Sequence, residues 1–178
     1  YLTGGLPQRL SPEVRALATQ GAVAKLCQRP IEVGGRSFCE TASAEGEPTY
    51  LVWGDSHASA LIPAFEELSK TLGQKGVIAA NPGCPPLLGV EGAGQTTAKC
   101  DAHNAQVLAY IRAHPSIERV VLVGRWGLYS TSVPTGSEDF KAWYLVDRHT
   151  KHPSAEENLR VFDRGVTRTL EALHGSSV

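Results

Sequence analysis

Methionine is absent from this chain of 178 residues, which begins at Tyr1. We therefore expect a processed or excised part of a longer protein, with any signal or membrane segment outside it. Long apolar runs are also missing: the longest, 51–53 and 120–123, have the length of strands rather than the roughly 18 residues of a membrane-spanning helix.

Neither sign of charge is in excess, because 17 Lys and Arg residues oppose 18 Asp and Glu residues, and like charges form no long run. This balance excludes a nucleic-acid partner, which requires a clustered excess of basic residues. Hydrophobic residues make up 42% of the chain, which is enough to bury the core of one domain.

The four cysteines, Cys27, Cys39, Cys84 and Cys100, include no Cys-x-x-Cys pair, which disfavours a zinc knuckle or a thioredoxin-like site. Four cysteines allow three pairings. The pairing of sequence neighbours, Cys27 with Cys39 and Cys84 with Cys100, closes two short loops, each stabilising the fold by about 3 kcal/mol. Disulfides would indicate an oxidising compartment, and four free thiols in a cytosolic protein are the alternative.

From Thr49 onward, apolar runs alternate with helical patterns. Strands are predicted at 49–54, 76–80 and 119–123. Helices are predicted from the first strand to Gly73, from Asp101 to His114, and from Ser154 to Gly175. The last helix is expected to bury one apolar stripe: Leu159, Phe162, Val166, Leu170 and Leu173. Strands without polar alternation indicate an α/β fold, with a parallel sheet covered on both faces.

Residues 1–48 differ from the rest in composition. Ser11-Pro12 predicts a helix to about Leu26, Gly34-Gly35 predicts a turn, and the stretch from Cys27 to Pro48 is expected to be rich in loops. We predict a loop-rich N-terminal segment over 1–48 with one helix and a disulfide, and an α/β domain over 49–178. A helix closing at Gly175 should lead to another strand, so the domain is expected to stop before its last strand.

Ligands of open parallel sheets bind beyond the carboxyl ends of the strands, which directs attention to three loops, 54–57, 81–86 and 124–129. Ser56 is the best candidate nucleophile. It lies at a strand-to-helix turn, where backbone N–H groups can stabilise an oxyanion. A plain helix-capping role for Asp55 or Ser56 is the alternative.

Residues 51–58 read LVWGDSHA and resemble the first block of the SGNH hydrolases, the GDS-type esterase superfamily. More specifically, they resemble the Gly-Asp-Ser-His-Ala version found in domains fused to membrane O-acyltransferases that modify bacterial cell-surface polysaccharides. Residues 81–87 (NPGCPPL) resemble the second block and 121–129 (VLVGRWGLY) the third, and the likeness spans about 22–175. The resemblance implies a flavodoxin-like three-layer α/β/α fold.

The resemblance also implies roles for residues. Ser56 would be the catalytic nucleophile, with Asp55 bracing its turn, and the N–H groups of Ser56 and Gly83 would be oxyanion donors. His57 would point away and is not taken as the base. The third block of the superfamily carries an asparagine where this chain has Trp126. The third oxyanion donor would then be Arg125 or the indole of Trp126, unless Trp126 fills the core and Arg125 forms a surface ion pair.

The Asp-x-x-His block that supplies the family's general base is absent, because no aspartate has a histidine three residues later. Two Asp-x-His segments come nearest to this block: Asp101-Ala102-His103 and Asp147-Arg148-His149. Neither follows a predicted strand, so we interpret the first as residues at the start of a helix and the second as residues of a solvent-exposed loop. His149 and His152 have no acidic or thiol partner nearby, so no metal site is predicted. We expect the base to lie beyond residue 178, leaving this chain alone weakly active or inactive.

The expected function is therefore periplasmic or extracytoplasmic O-acylation by a domain tethered to the membrane in a longer protein. An acetyl-type group would pass through Ser56 to a hydroxyl of a polysaccharide such as lipopolysaccharide, without a cofactor. The acyl donor would come from an integral-membrane acyltransferase domain. The alternatives are a carbohydrate esterase that uses water, and a non-catalytic domain whose aromatic residues stack on sugars: Trp126, Tyr129, Trp143 and Tyr144.

Overall fold

A computed structural model describes residues 27–42, 45–94, 99–133 and 142–175. The helix predicted between Ser11 and Leu26 lies outside them. The elements, in chain order, are β1 (Arg29–Val33), β2 (Arg36–Glu40), β3 (Tyr50–Gly54), α1 (Ser56–Ala60), α2 (Ile62–Leu72), β4 (Gly76–Ala80), β5 (Glu91–Gly92), α3 (Cys100–Ala113), β6 (Arg119–Val123), α4 (Trp126–Thr131), β7 (Leu145–Val146) and α5 (Ala155–His174). Within these ranges, every helix is too short or too polar to cross a membrane.

The central sheet has five strands in the order β1-β2-β4-β3-β6. β3 runs parallel to both β4 and β6, so the predicted parallel arrangement of these three strands is confirmed. β5 and β7 form a separate two-stranded antiparallel sheet. β6 ends the five-stranded sheet in the described part of the chain. Val121 is therefore exposed, although its strand was expected to be covered on both faces.

The segment after Cys27 is more regular than the sequence predicts. β1 and β2 form an antiparallel hairpin, and β2 pairs antiparallel with β4, which makes the sheet mixed rather than wholly parallel. The predicted turn at Gly34-Gly35 is confirmed, since both glycines have positive φ, where glycine is favoured. The strands escaped prediction because β1 contains Pro30 and both are stabilised by distant partners: Phe38 of β2 is buried in the core.

Helices cover both faces of the sheet. Leu51 and Trp53 of β3 point into a core cluster shared with α3 and the end of α5, while the alternate residue Val52 points into a second cluster shared with α1 and α2. This alternation follows from the two-residue side-chain period of a strand. The result is the three-layer α/β/α architecture that the resemblance implies.

Two helices differ in detail from their predictions. α3 begins at Cys100 rather than at Asp101, because the Glu91 carboxylate accepts the backbone N–H groups of both residues. The buried face of α5 is shifted from the predicted stripe, and Leu159 and Leu170 are about half exposed. Of the predicted stripe, Leu173 is buried, and the other buried positions of α5 include small or polar residues that hydrophobic periodicity does not select: Asn158, Gly165 and Thr169.

Candidate active site

The three predicted site loops meet at one edge of the sheet. Gly54, the last residue of β3, is in register with Ala80 of β4 and Val123 of β6. The loops that follow β3 and β4 are also joined just after these strands end, since the Asn81 N–H donates to the Gly54 carbonyl over 2.9 Å. A Cβ on Gly54 would lie 1.9 Å from the Val123 carbonyl oxygen, so only glycine permits this approach.

Asp55 is the most heavily bonded side chain of the first loop. It is 1% exposed and caps α1, because its Oδ1 accepts the His57 N–H over 2.8 Å. Its Oδ2 accepts the Arg125 N–H over 2.9 Å and a hydrogen bond from the Tyr129 hydroxyl. The carboxylate therefore ties the loop after β3 to the loop and helix after β6.

Ser56 is the first residue of α1, and its side chain is exposed to solvent. Its hydroxyl makes no hydrogen bond within the described ranges, and its N–H, at the open start of a helix, donates none there either. Asp55 thus supplies the cap, and the Ser56 hydroxyl is left available to a ligand.

His57 follows the nucleophile candidate directly. Its Nδ1 lies 3.1 Å from Asp55 Oδ1, and its side chain is 53% exposed. The ring thus belongs to the Asp55 network and makes no hydrogen bond to Ser56 among the described residues. That His57 is not the general base stays a prediction.

Gly83 lies in a tight turn at the second loop. The Cys84 N–H donates to the Asn81 carbonyl over 3.0 Å, and Gly83 has φ +78°, a conformation that suits glycine after proline at the third position of a turn. In the described part of the chain its N–H donates no hydrogen bond. The turn therefore presents a backbone donor at the edge where Ser56 lies.

Two disulfides hold the site's surroundings, and they are the pairs of sequence neighbours. Cys84–Cys100, with 5.2 Å between Cα atoms, ties the Gly83 turn to the start of α3. Cys27–Cys39, with 5.6 Å between Cα atoms, ties residue 27 to β2. The predicted disulfide bonding is confirmed, and the alternative of free thiols is wrong.

Arg125 and Trp126, the two candidates for a third oxyanion donor, have different surroundings. The Trp126 ring packs edge-on against the rings of Tyr129 and Phe162, at centroid distances of 6.2 and 6.3 Å. The Arg125 guanidinium makes no hydrogen bond or ion pair with any residue the structure describes, so the surface ion pair considered for it is not found there.

The aromatic residues considered for sugar stacking are partly committed to the core. Tyr129 is 2% exposed, so it cannot stack on a sugar, and Trp143 packs against it with ring centroids 5.6 Å apart. Burial, followed by the hydrogen bond and charge of Asp55, raises the pKa of Tyr129 far above its ordinary value. Its hydroxyl therefore stays protonated and remains a donor.

The two substitute Asp-x-His pairs do not form catalytic pairs. Asp101 accepts the Gly89 N–H, while His103 is buried against Phe38. Burial, followed by the charge of Arg36, lowers the pKa of His103 to about 4. No group of three potential metal ligands occurs among the described residues.

In the second pair, Asp147 is held by Arg164. The Nε and Nη2 atoms of Arg164 donate to the two carboxylate oxygens of Asp147 over 2.8 and 3.0 Å. His149 Nε2 accepts from the Nε of Arg148. A cleft of about 560 Å³ beside this ion pair is lined by Leu88, Asp101 and Asp147 among others, and by none of the predicted site residues.

Two asparagines that support the loops were not predicted. Asn104 is buried on α3, where it accepts from Trp53 Nε1 and donates to the carbonyls of Pro85 and Leu87 in the second loop. Asn158 of α5 donates to the carbonyl of Tyr129. The sequence did contain a signal for Asn104. It lies three residues before Val107, on the apolar side of a predicted helix, where a polar side chain requires buried hydrogen-bond partners.

These observations define an α/β domain with a serine exposed at the carboxyl edge of three parallel strands, where two backbone N–H groups have no partner among the described residues. The model of the family described as "SGNH domain (fused to AT3 domains)" matches residues 26–177. The chain belongs to this family of SGNH domains. No significant match to this chain was found among curated proteins or solved structures.

Proposed function

We propose that this domain transfers an acetyl-type acyl group through Ser56 to a hydroxyl of a cell-envelope polysaccharide, such as lipopolysaccharide, outside the cytoplasm. One observation carries the proposal: the exposed Ser56 hydroxyl follows a buried, fully bonded Asp55, at an edge where the Ser56 and Gly83 N–H groups have no partner among the described residues. Unpaired donors beside a free hydroxyl suit acyl transfer, in which an oxyanion must be stabilised.

The reaction has two halves. Ser56 Oγ forms a bond to the ester carbonyl carbon while its proton passes to a general base, and the carbonyl oxygen becomes an oxyanion facing the Ser56 and Gly83 N–H groups. The donor's C–O bond then breaks, and the leaving oxygen takes the proton. The acceptor hydroxyl next attacks the acyl-serine and gives its proton to the base, which returns it to Ser56 Oγ as that bond breaks.

Arg125 is the better candidate for the third oxyanion donor. Its guanidinium is uncommitted within the described residues, whereas the Trp126 ring packs against Tyr129 and Phe162. A guanidinium offers several N–H donors and a permanent positive charge to a developing negative oxygen. Arg125 would thus take the role that the asparagine of the third block has in the wider superfamily.

The general base is assigned to a segment outside residues 1–178. None of the chain's six histidines hydrogen-bonds Ser56 within the described ranges. His57 is held by Asp55, and His103 is buried against Phe38. Assays should therefore use the full-length protein.

The extracytoplasmic location is supported by two disulfides, since these persist in oxidising compartments. The family description, which names fusion to AT3 domains, supports a membrane acyltransferase domain as the source of the acyl group. Because Ser56 is exposed, water is a competing acceptor, and the esterase alternative is tested in the same assay.

The test supplies full-length protein with p-nitrophenyl acetate as the acyl donor and purified bacterial lipopolysaccharide as the acceptor. We expect an acetyl group on the Ser56 peptide by mass spectrometry and new O-acetyl signals on the polysaccharide by NMR. Ser56→Ala should abolish both, and the matched control Ser59→Ala, on the same helix, should retain both. Undiminished transfer by Ser56→Ala would overturn the proposal, while acetate release without polysaccharide acetylation would favour the esterase.

A further inference from the structure

We infer that Tyr129 is a positioning residue for the nucleophile: through Asp55, its hydroxyl holds the Ser56 turn in place against the loop after β6. The inference rests on the proposed role of Ser56. It assigns to a buried tyrosine of the third block a task that the sequence pattern does not reveal.

The first argument is the division of hydrogen bonds at Asp55. Oδ1 serves the Ser56 turn, where it accepts the backbone N–H of His57 and lies 3.1 Å from the ring Nδ1. Oδ2 serves the opposite side, where it accepts the Arg125 N–H and the Tyr129 hydroxyl. The tyrosine therefore supplies one of the two bonds that orient the carboxylate from outside its own loop.

The second argument is that Tyr129 is itself held firmly. Its ring packs against Trp126 and Trp143, and its backbone carbonyl accepts a hydrogen bond from Asn158 of α5. A Cβ on Gly124 would lie 3.1 Å from the Tyr129 ring and 3.7 Å from Asp55 Oδ2, so the chain passes closely over this contact. A donor fixed in this way can transmit the position of α4 and α5 to the carboxylate.

The third argument concerns the proton. Burial and the neighbouring carboxylate keep the Tyr129 hydroxyl protonated, because both disfavour a phenolate. The Tyr129 hydroxyl thus remains a donor to Asp55. Without this hydroxyl, the Arg125 N–H is the one donor to Oδ2 left among the described residues. The carboxylate then gains freedom to rotate, which moves the Ser56 N–H and hydroxyl together.

The experiment compares Tyr129→Phe with Tyr50→Phe in the full-length protein. Each substitution removes one buried hydroxyl and leaves its ring. Tyr50 lies at the end of β3 opposite Gly54, and within the described ranges its hydroxyl bonds Ser69 and the Phe65 carbonyl of α2 and none of the predicted site residues. We expect Tyr129→Phe to lower kcat for acetyl transfer about tenfold with an unchanged KM for p-nitrophenyl acetate. Amide hydrogen exchange at His57 and Arg125 should accelerate. Tyr50→Phe should change neither property, even where it lowers thermal stability as much.

A double-variant cycle tests whether Tyr129 acts through Asp55. The double variant Asp55→Asn, Tyr129→Phe should have a kcat close to that of Asp55→Asn alone, because the residue through which the tyrosine acts is already altered. Rates are normalised to the folded fraction by circular dichroism. Wild-type kcat in Tyr129→Phe, unchanged exchange at His57 and Arg125, or full additivity of the two losses would overturn the inference. Undiminished transfer by Ser56→Ala would instead overturn the proposed function, so the two failures are distinguishable.

Discussion

Two Asp-x-His segments of this chain have the same spacing and opposite surroundings. In both, the aspartate accepts the backbone N–H of the histidine two residues later, Asp55 from His57 and Asp147 from His149. Asp147, whose side chain is 0% exposed, also forms an ion pair with the Arg164 guanidinium. Asp55 is equally buried, but the donors from the other loops are the backbone N–H of Arg125 and the hydroxyl of Tyr129.

The difference separates a structural carboxylate from one suited to a site. An arginine lies beside each of the two carboxylates. The Arg164 guanidinium donates two hydrogen bonds to Asp147, whereas the Arg125 guanidinium has no partner among the described residues. A carboxylate paired by two guanidinium bonds adds rigidity and carries no free charge to a ligand. A carboxylate held from the other loops by neutral donors orients the chain while leaving the neighbouring guanidinium available.

The largest effect is expected from Asp55→Asn. The amide has one acceptor oxygen, and its NH2 group would face the N–H of either His57 or Arg125, so at least one bond that orients the Ser56 turn is lost. We expect kcat for acetyl transfer to fall about 100-fold. Steady-state kinetics measures this, with Asp101→Asn as a control outside the site. A fall of less than threefold would contradict the bracing role.

Asp147→Asn should reverse the pattern, leaving transfer per folded molecule unchanged while lowering stability. The amide places its NH2 against the Arg164 guanidinium or loses one of its two bonds, at a cost of about 2 kcal/mol in the free energy of unfolding. Urea unfolding followed by circular dichroism measures the cost. An equal loss of kcat in the Asp55 and Asp147 variants would remove the distinction between the two carboxylates.

The pH dependence of stability should carry the signature of Asp147. Burial alone would raise its pKa, but the hydrogen bonds from Arg164 and the His149 N–H prevail and lower it from 3.8 to about 2. Because the folded-state pKa is depressed, the contribution, about 2 kcal/mol, is present above pH 4 and is lost as pH falls toward 2. The stability difference between wild type and Asp147→Asn should therefore shrink over this range in urea titrations. A difference that stays constant would show that the ion pair is not its source.

A smaller loss of activity than that of Asp55→Asn is expected from Arg125→Gln, which removes the uncommitted cation beside Asp55 and keeps the backbone N–H that Asp55 accepts. We expect about a tenfold fall in kcat, less than the roughly 100-fold or greater loss usual for an oxyanion donor, because the side chain is partly exposed. Trp126→Phe, which keeps an aromatic ring against Tyr129 and Phe162, is the matched variant and should lower kcat less. The reverse order in single-turnover assays would assign the donor to the indole.

The parallel strands and the Gly54–Ser56 turn could be predicted because their signals are local. Apolar runs of strand length and a glycine before an Asp-Ser turn need no distant information. The β1–β2 hairpin and the buried face of α5 could not, because their stability comes from remote partners. Arg29–Val33 reads as polar and contains a proline, and Asn158 is buried only because Leu145 and Tyr129 bring groups for it to bond.

The sequence by itself determined the βα order and the position of the candidate nucleophile, since each depends on residues close together in the chain. It left the pairing of the four cysteines open, and the structure shows the two pairs of sequence neighbours. The tertiary structure alone decided which groups hold each aspartate. The Tyr129 hydroxyl reaches Asp55 across 74 residues, and Arg164 reaches Asp147 across 17. The same Asp-x-His spacing therefore yields a bracing carboxylate in one place and a buried ion pair in the other, because burial and partners are set by what the fold packs against each.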